Sequence, residues 1–134
     1  MTKISAIYII DDDPITVFGI KKLLSFVVQC DEISTYENGK LAIDQIKRTL
    51  ANKALLPEVI FLDINMPIMD GWQFLEEFIS LNIPHKIRVN IVTSSIDVVD
   101  RDKWKWYSTR SHHTITFNNK PIKKDGISEI TKVA

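Results

Sequence analysis

The sequence predicts an α/β domain: a five-stranded parallel sheet, doubly wound with helices on both faces. Short β-branched apolar runs alternate five times with segments of helical periodicity, which is the pattern of a parallel sheet built from right-handed crossovers. Each apolar run also stops abruptly at a polar or turn-forming residue. A chain of 134 residues, 45% of them hydrophobic, suffices for one such core, so a single domain over 1–134 with no effector domain is expected.

Ile4 to Ile10 reads as the first strand and ends at Asp11-Asp12-Asp13-Pro14, where Pro14 suits the first helical position and Asp13 the N-cap. Val17, Ile20, Leu24 and Val27 then recur at helical spacing, with Lys21, Lys22 and Ser25 on other faces. Asp31 to Tyr36 is the second strand. Glu37-Asn38-Gly39 supplies turn chemistry before a second helix marked by Ala42, Ile43, Ile46 and Leu50. The run Glu58-Val59-Ile60-Phe61-Leu62 is a buried third strand that delivers Asp63 to a turn containing Pro67 and Gly71.

Phe74, Leu75, Phe78 and Ile79 mark a third helix, closed by the segment from Asn82 to Pro84. Ile87 to Val92 is the fourth strand and ends in Thr93-Ser94-Ser95. A fourth helix falls between Val98 and Tyr107, though its apolar residues form no clean stripe. Thr114 to Phe117 is the fifth strand, leading to Asn118-Asn119-Lys120-Pro121. Lys124 to Val133, with Ile127, Ile130 and Val133, is a short closing helix.

Seventeen basic residues balance seventeen acidic ones, so no whole-chain electrostatic footprint points to nucleic acid or to an anionic membrane. One cysteine, Cys30, cannot form an internal disulfide, and no second Cys or His cluster offers zinc-type spacing. A reducing compartment is the natural reading, with Cys30 serving only packing. No stretch approaches the roughly 18 apolar residues of a membrane span, and the first ten residues lack a signal-peptide layout. A cytoplasmic protein with no membrane or direct nucleic-acid partner is expected.

In open parallel sheets, ligands sit beyond the carboxyl ends of the strands, where strand order reverses. At that edge the first strand ends in Asp11 and Asp12, the third in Asp63, the fourth in Thr93 and the fifth in Asn119-Lys120. Any one of these alone is a cap, a turn residue or a solvated lysine. Together they make a site. Three convergent carboxylates repel one another, so the site either raises a pKa or holds a cation. Magnesium prefers such oxygen ligands, Lys120 adds a positive charge, and Thr93 adds a hydroxyl donor. These are the parts needed to transfer a phosphoryl group onto an aspartate, with Asp63 as nucleophile.

In order and spacing, Ile9-Ile10-Asp11-Asp12-Asp13-Pro14, Leu62-Asp63-Ile64-Asn65-Met66-Pro67-Ile68-Met69-Asp70-Gly71, Val92-Thr93-Ser94 and Asn119-Lys120-Pro121 resemble the receiver domain of two-component response regulators over essentially the whole chain. The resemblance implies a flavodoxin-like (βα)5 fold with strand order 2-1-3-4-5. It implies that Asp63 accepts a phosphoryl group from a histidine kinase or histidine phosphotransfer protein, and that Thr93 and Lys120 contact that group. Mg2+ or Mn2+ would be held by Asp12, Asp63 and the backbone carbonyl of Asn65, with Asp11 assisting.

Phe117 matches the aromatic switch position, which moves with Thr93 to reshape the surface of the fourth helix, fifth strand and fifth helix for a downstream protein target. Asn65 and Ser95 match positions that tune how long the phosphoryl group lasts. Both are small and polar, which leaves room for an attacking water, so self-dephosphorylation is not expected to be exceptionally slow.

Trp104, Trp106 and Tyr107 beside Arg101, Lys103 and Lys105 have two readings. They form a partner-binding patch, or one tryptophan packs inward while the other lies across lysine stems. His112 and His113 read as loop residues rather than metal ligands. Among competing functions, a haloacid-dehalogenase-type phosphatase would need a second acid two residues after the nucleophile, where this chain has Asn65. A flavin mononucleotide binder would present its phosphate to Asp11, Asp12 and Asp13, which would repel it. A receiver cut from a hybrid histidine kinase stays open.

Overall fold

In the computed structural model, which describes residues 1–132, ten elements alternate from the start. They are β1 (Thr2–Ile10), α1 (Pro14–Val27), β2 (Val28–Tyr36), α2 (Gly39–Ala51), β3 (Val59–Leu62), α3 (Gly71–Ser80), β4 (Arg88–Thr93), α4 (Val98–Arg110), β5 (Thr114–Asn119) and α5 (Lys124–Glu129). All strand pairs are parallel, in the order β2-β1-β3-β4-β5 that the resemblance implies. The direction of strand addition reverses between β1 and β3.

The sheet separates two apolar layers. On one face α2 and α3 pack Ile43, Ile46, Phe74, Leu75 and Phe78 over the strands; on the other α1 and α5 bring Ile20, Leu24, Ile127 and Ile130. Every residue of β3 is buried, which is why its sequence is continuously apolar rather than alternating. Each fully buried Phe or Leu of these layers contributes about 2–3 kcal/mol of burial free energy. Side-chain caps fix where the helices begin. Asp13, Asn38, Asp70 and Asp97 each accept a backbone N–H at their helix start, and Asp70 forms a capping box with Gln73.

Several boundaries differ from the sequence expectation, those of β2 and α5 most clearly. β2 begins at Val28, directly after α1, because its first residues pair with Thr2 and Lys3 of β1. α5 ends at Glu129, and the next residues turn so that the Thr131 hydroxyl donates to Ile127 O; Val133 lies outside the described residues. This turn is held from the core by Asn90, fully buried in β4, whose amide donates to Ile130 O at 2.8 Å.

His112 and His113 lie in the connection between α4 and β5, as expected of loop residues, but His113 is not exposed there. It is buried against Phe78, and its Nδ1 accepts the Ile87 N–H at 2.9 Å. Trp104 packs inward, its indole N–H donating to Ile115 O at 2.7 Å, while Trp106 stays exposed beneath the Arg110 guanidinium, 4.0 Å from the ring centre. An arginine, not a lysine stem, covers it. Cys30 is half-buried on the α1–α5 layer, as its packing role requires.

Candidate functional site

Strand register assembles the site. Ile10 pairs with Leu62, so the next residues, Asp11 and Asp63, emerge level at the carboxyl edge where strand order reverses. The Asp63 N–H continues the ladder to Ile10 O at 2.9 Å, and the Asp11 N–H does the same to Tyr36 O. At the far side Thr93 pairs with Asn119, and the Lys120 N–H donates to Thr93 O at 2.9 Å. Lys120 is thereby aimed back across the sheet. Its Nζ lies 3.2 Å from Asp11 Oδ2 and 3.7 Å from Asp63 Oδ1.

The loop after Asp63 is pinned by close approach. A Cβ on Gly71 would stand 2.5 Å from the Asp63 carbonyl oxygen and 2.8 Å from Ile64 Cα, so only glycine fits there. The Gly71 N–H donates to Ile64 O at 2.8 Å. In between, Ile68 adopts φ 70°, a left-handed conformation that a β-branched residue rarely takes.

Asp11 and Asp63 are buried, and Asp12 faces solvent. Burial pushes the Asp63 carboxyl up to about 6, with the Asp11 charge adding to the rise. Lys120 and the backbone N–H groups of Ile64 and Asn65 oppose it. Asp11 is raised as well, first by burial, against the Asp13 N–H and Lys120. Carboxylate oxygens of Asp11, Asp12 and Asp63 all come within 4.8 Å of one another. The donor set is all oxygen and excess negative charge, with one solvent-facing member, and this fits a hard divalent ion that keeps water ligands.

Thr93 is fully buried, and its Oγ1 accepts the Ser95 N–H at 3.1 Å. The Ser95 hydroxyl turns away from the carboxylates toward Asp100. Asn65 is exposed, two residues after Asp63. Phe117 is half-buried, its ring 5.8 Å from that of Trp104, with the Arg101 guanidinium 5.1 Å from its centre. The structure thus brings Asp11, Asp12, Asp63 and Lys120 into one cluster with Thr93 at its border, and sets Phe117 and Ser95 outside it.

Sequence reading missed Asp100, Trp72 and the side chain of Asn119, which donates to Ser95 O at 2.8 Å. No periodicity or spacing marks these contacts, because each is made across a loop between separate elements.

A family model described as the response regulator receiver domain matches residues 7–131. A two-component response regulator from Cytophaga hutchinsonii is 27% identical and superimposes with a TM-score of 0.78 over 96% of this chain and 94% of that one. The hybrid signal transduction histidine kinase L of Dictyostelium discoideum is 30% identical over 130 residues, 94% of this chain and 7% of the kinase. The nitrate/nitrite response regulator protein NarL of Escherichia coli is 29% identical over 90 residues, 67% of this chain and 39% of that protein. The chain therefore spans well under half the length of these curated relatives. Among the described residues no helix is long and apolar enough to cross a membrane. The chain belongs to the response regulator receiver domain family and is a receiver of two-component signalling.

Proposed function

We propose that Asp63 is the phosphoacceptor of this receiver and takes its phosphoryl group from a phosphohistidine of a histidine kinase or histidine phosphotransfer protein. The observation that carries this reading is the placement of a buried Asp63 carboxylate 3.7 Å from the Lys120 ammonium, beside Asp11 and Asp12. One Asp63 oxygen attacks phosphorus, the new O–P bond forms, and the P–N bond to the donor imidazole breaks, the nitrogen keeping the electron pair. Lys120 balances the charge carried by the phosphoryl oxygens. Thr93 Oγ1 already accepts from the Ser95 N–H, so its own proton is free to donate to a phosphoryl oxygen.

Asp11, Asp12 and Asp63, with the Asn65 carbonyl, would hold Mg2+ or Mn2+, which when bound neutralises charge on the transferring group. Around this edge Ile15 and Phe18 of α1, Ile68 and Ile96 are all exposed, an apolar surround suited to a docked protein donor. Phosphorylation is read out through Thr93 and Phe117 on the surface of α4, β5 and α5, where a downstream protein binds.

The test is incubation with magnesium and acetyl phosphate, followed by intact mass. One added phosphoryl group in the wild type, absent in Asp63→Asn, is expected; an unmodified wild type would sink the reading. The small residues Asn65 and Ser95 predict a modified form that does not persist for many hours in magnesium buffer.

A further inference from the structure

Ser95 has all its polar groups engaged. Its hydroxyl donates to Asp100 Oδ2 at 2.5 Å and accepts the Asp97 N–H at 3.2 Å. Its N–H donates to Thr93 Oγ1, and its carbonyl accepts the Asn119 amide. Asp100 sits in the first turn of α4, and its second oxygen accepts the Trp72 indole N–H of α3 at 3.0 Å. One carboxylate therefore joins the loop that follows Thr93 to two helices. Both of its bonds are charge-assisted, which makes them about twice as strong as neutral ones.

We propose that Asp100 is a positioning residue for phosphoryl transfer: through Ser95 it fixes the Thr93 hydroxyl, and through Trp72 it ties the state of that loop to α3. The proposal rests on Asp63 being the acceptor. If Thr93 shifts toward a phosphoryl group, Ser95 is drawn with it and Asp100 must follow or release it, and either response alters the hydrogen bond on Trp72. The Trp72 ring stacks on Tyr107 with centres 5.8 Å apart and planes 11° from parallel, so the change arrives in the groove between α3 and α4 that Gln73, Glu76 and Lys103 also line. A receiver wired in this way reports its state on that groove in addition to the face around Phe117.

The full chain, labelled with nitrogen-15, gives three indole N–H resonances, and Trp72→Phe assigns the one in question. Adding magnesium and beryllofluoride, a phosphoryl mimic, should shift the Trp72 resonance in the wild type and leave it unmoved in Asp100→Asn. Phosphoryl uptake from acetyl phosphate should slow roughly tenfold in that variant, the size of one lost charge-assisted hydrogen bond. Ser95→Ala removes only the hydroxyl and should reproduce both effects, and the double variant should add nothing further.

A merely structural Asp100 would lower the melting temperature but leave the mimic-dependent Trp72 shift intact, and that result overturns the proposal. So do equal uptake rates in wild type and Ser95→Ala. A wild type that never takes up a phosphoryl group overturns the assignment of Asp63 itself, and with it this inference.

Discussion

The two ends of the sheet each bury titratable side chains, and they do so by opposite means. At the carboxyl edge Asp11 and Asp63, 5% and 6% exposed, stand with the Lys120 ammonium between them. At the amino edge His113, 4% exposed, is wedged between Phe78 and His112, with its Nε2 lacking any hydrogen-bond partner. Burial holds that imidazole neutral, with a pKa lowered to about 4, and the neighbouring His112 and His85 add to the shift. Where no charge is used, the chain keeps a buried group neutral. At the carboxyl edge it keeps two carboxylates and supplies a counter-charge.

The largest test removes the counter-charge. Lys120→Ala leaves two buried carboxylates facing each other and should cost about 4 kcal/mol at pH 7 in divalent-free buffer, read by urea unfolding. Magnesium should restore part of the loss by binding only the folded chain. An unchanged midpoint would mean that the acids do not depend on Lys120.

Next in size is a pair of pH dependences with opposite signs. Asp63 is raised from 3.8 to about 6, so its contribution is present below 3.8 and is lost as pH rises through 6. His113 is lowered from 6.5 to about 4, so its contribution is present above 6.5 and is lost as pH falls through 4. Each amounts to about 3 kcal/mol, and in the wild type they largely offset each other over the shared window. Asp63→Asn should unmask a stability that declines on acidification from pH 6.5 to 4. His113→Asn should unmask the reverse slope, and parallel profiles for the two variants would break the comparison.

Backbone packing distinguishes the carboxyl edge in smaller steps. Gly71→Ala forces a Cβ into the Asp63 carbonyl and should cost about 2 kcal/mol, whereas Gly126→Ala in α5, whose Cβ meets only Ile122 at 3.8 Å, should gain up to about 1 kcal/mol. Thermal melts of the two variants should therefore move apart.

The smallest effect separates two left-handed residues. Lys53, at the amino edge, has φ 54° within a Schellman ending of α2, where Ala54 N–H reaches Thr49 O and Lys53 N–H reaches Leu50 O. Ile68, at the carboxyl edge, is β-branched and has φ 70°. Ile68→Gly should gain about 1 kcal/mol, and Lys53→Gly only a few tenths, by chemical denaturation.

What the sequence made legible follows from what it encodes locally. Apolar runs ending in Asp11, Asp63 and Thr93 announce buried strands with their polar ends together, and the spacing from Asn119 to Pro121 places Lys120 at the same edge. Contacts chosen by tertiary packing were not legible. His113 follows a serine and a histidine and lies in the connection before β5, yet the register of β4 against β5 buries it under Phe78. Trp72 and Asp100 are 28 residues apart on different helices, so no pattern on either helix predicts their bond. Trp104 and Trp106 share a composition and differ only in the face of α4 from which each projects.

α4 itself contains no buried residue; it is fastened by Trp104 to β5, by Asp100 to Trp72, and by Tyr107 stacked on that same ring. Its outward residues can therefore be rewritten one at a time while the sheet and the other helices go on folding beneath them. The composition of this outer face is thereby decoupled from the stability of the domain, because the residues of α4 that face solvent are not the ones that hold the molecule together.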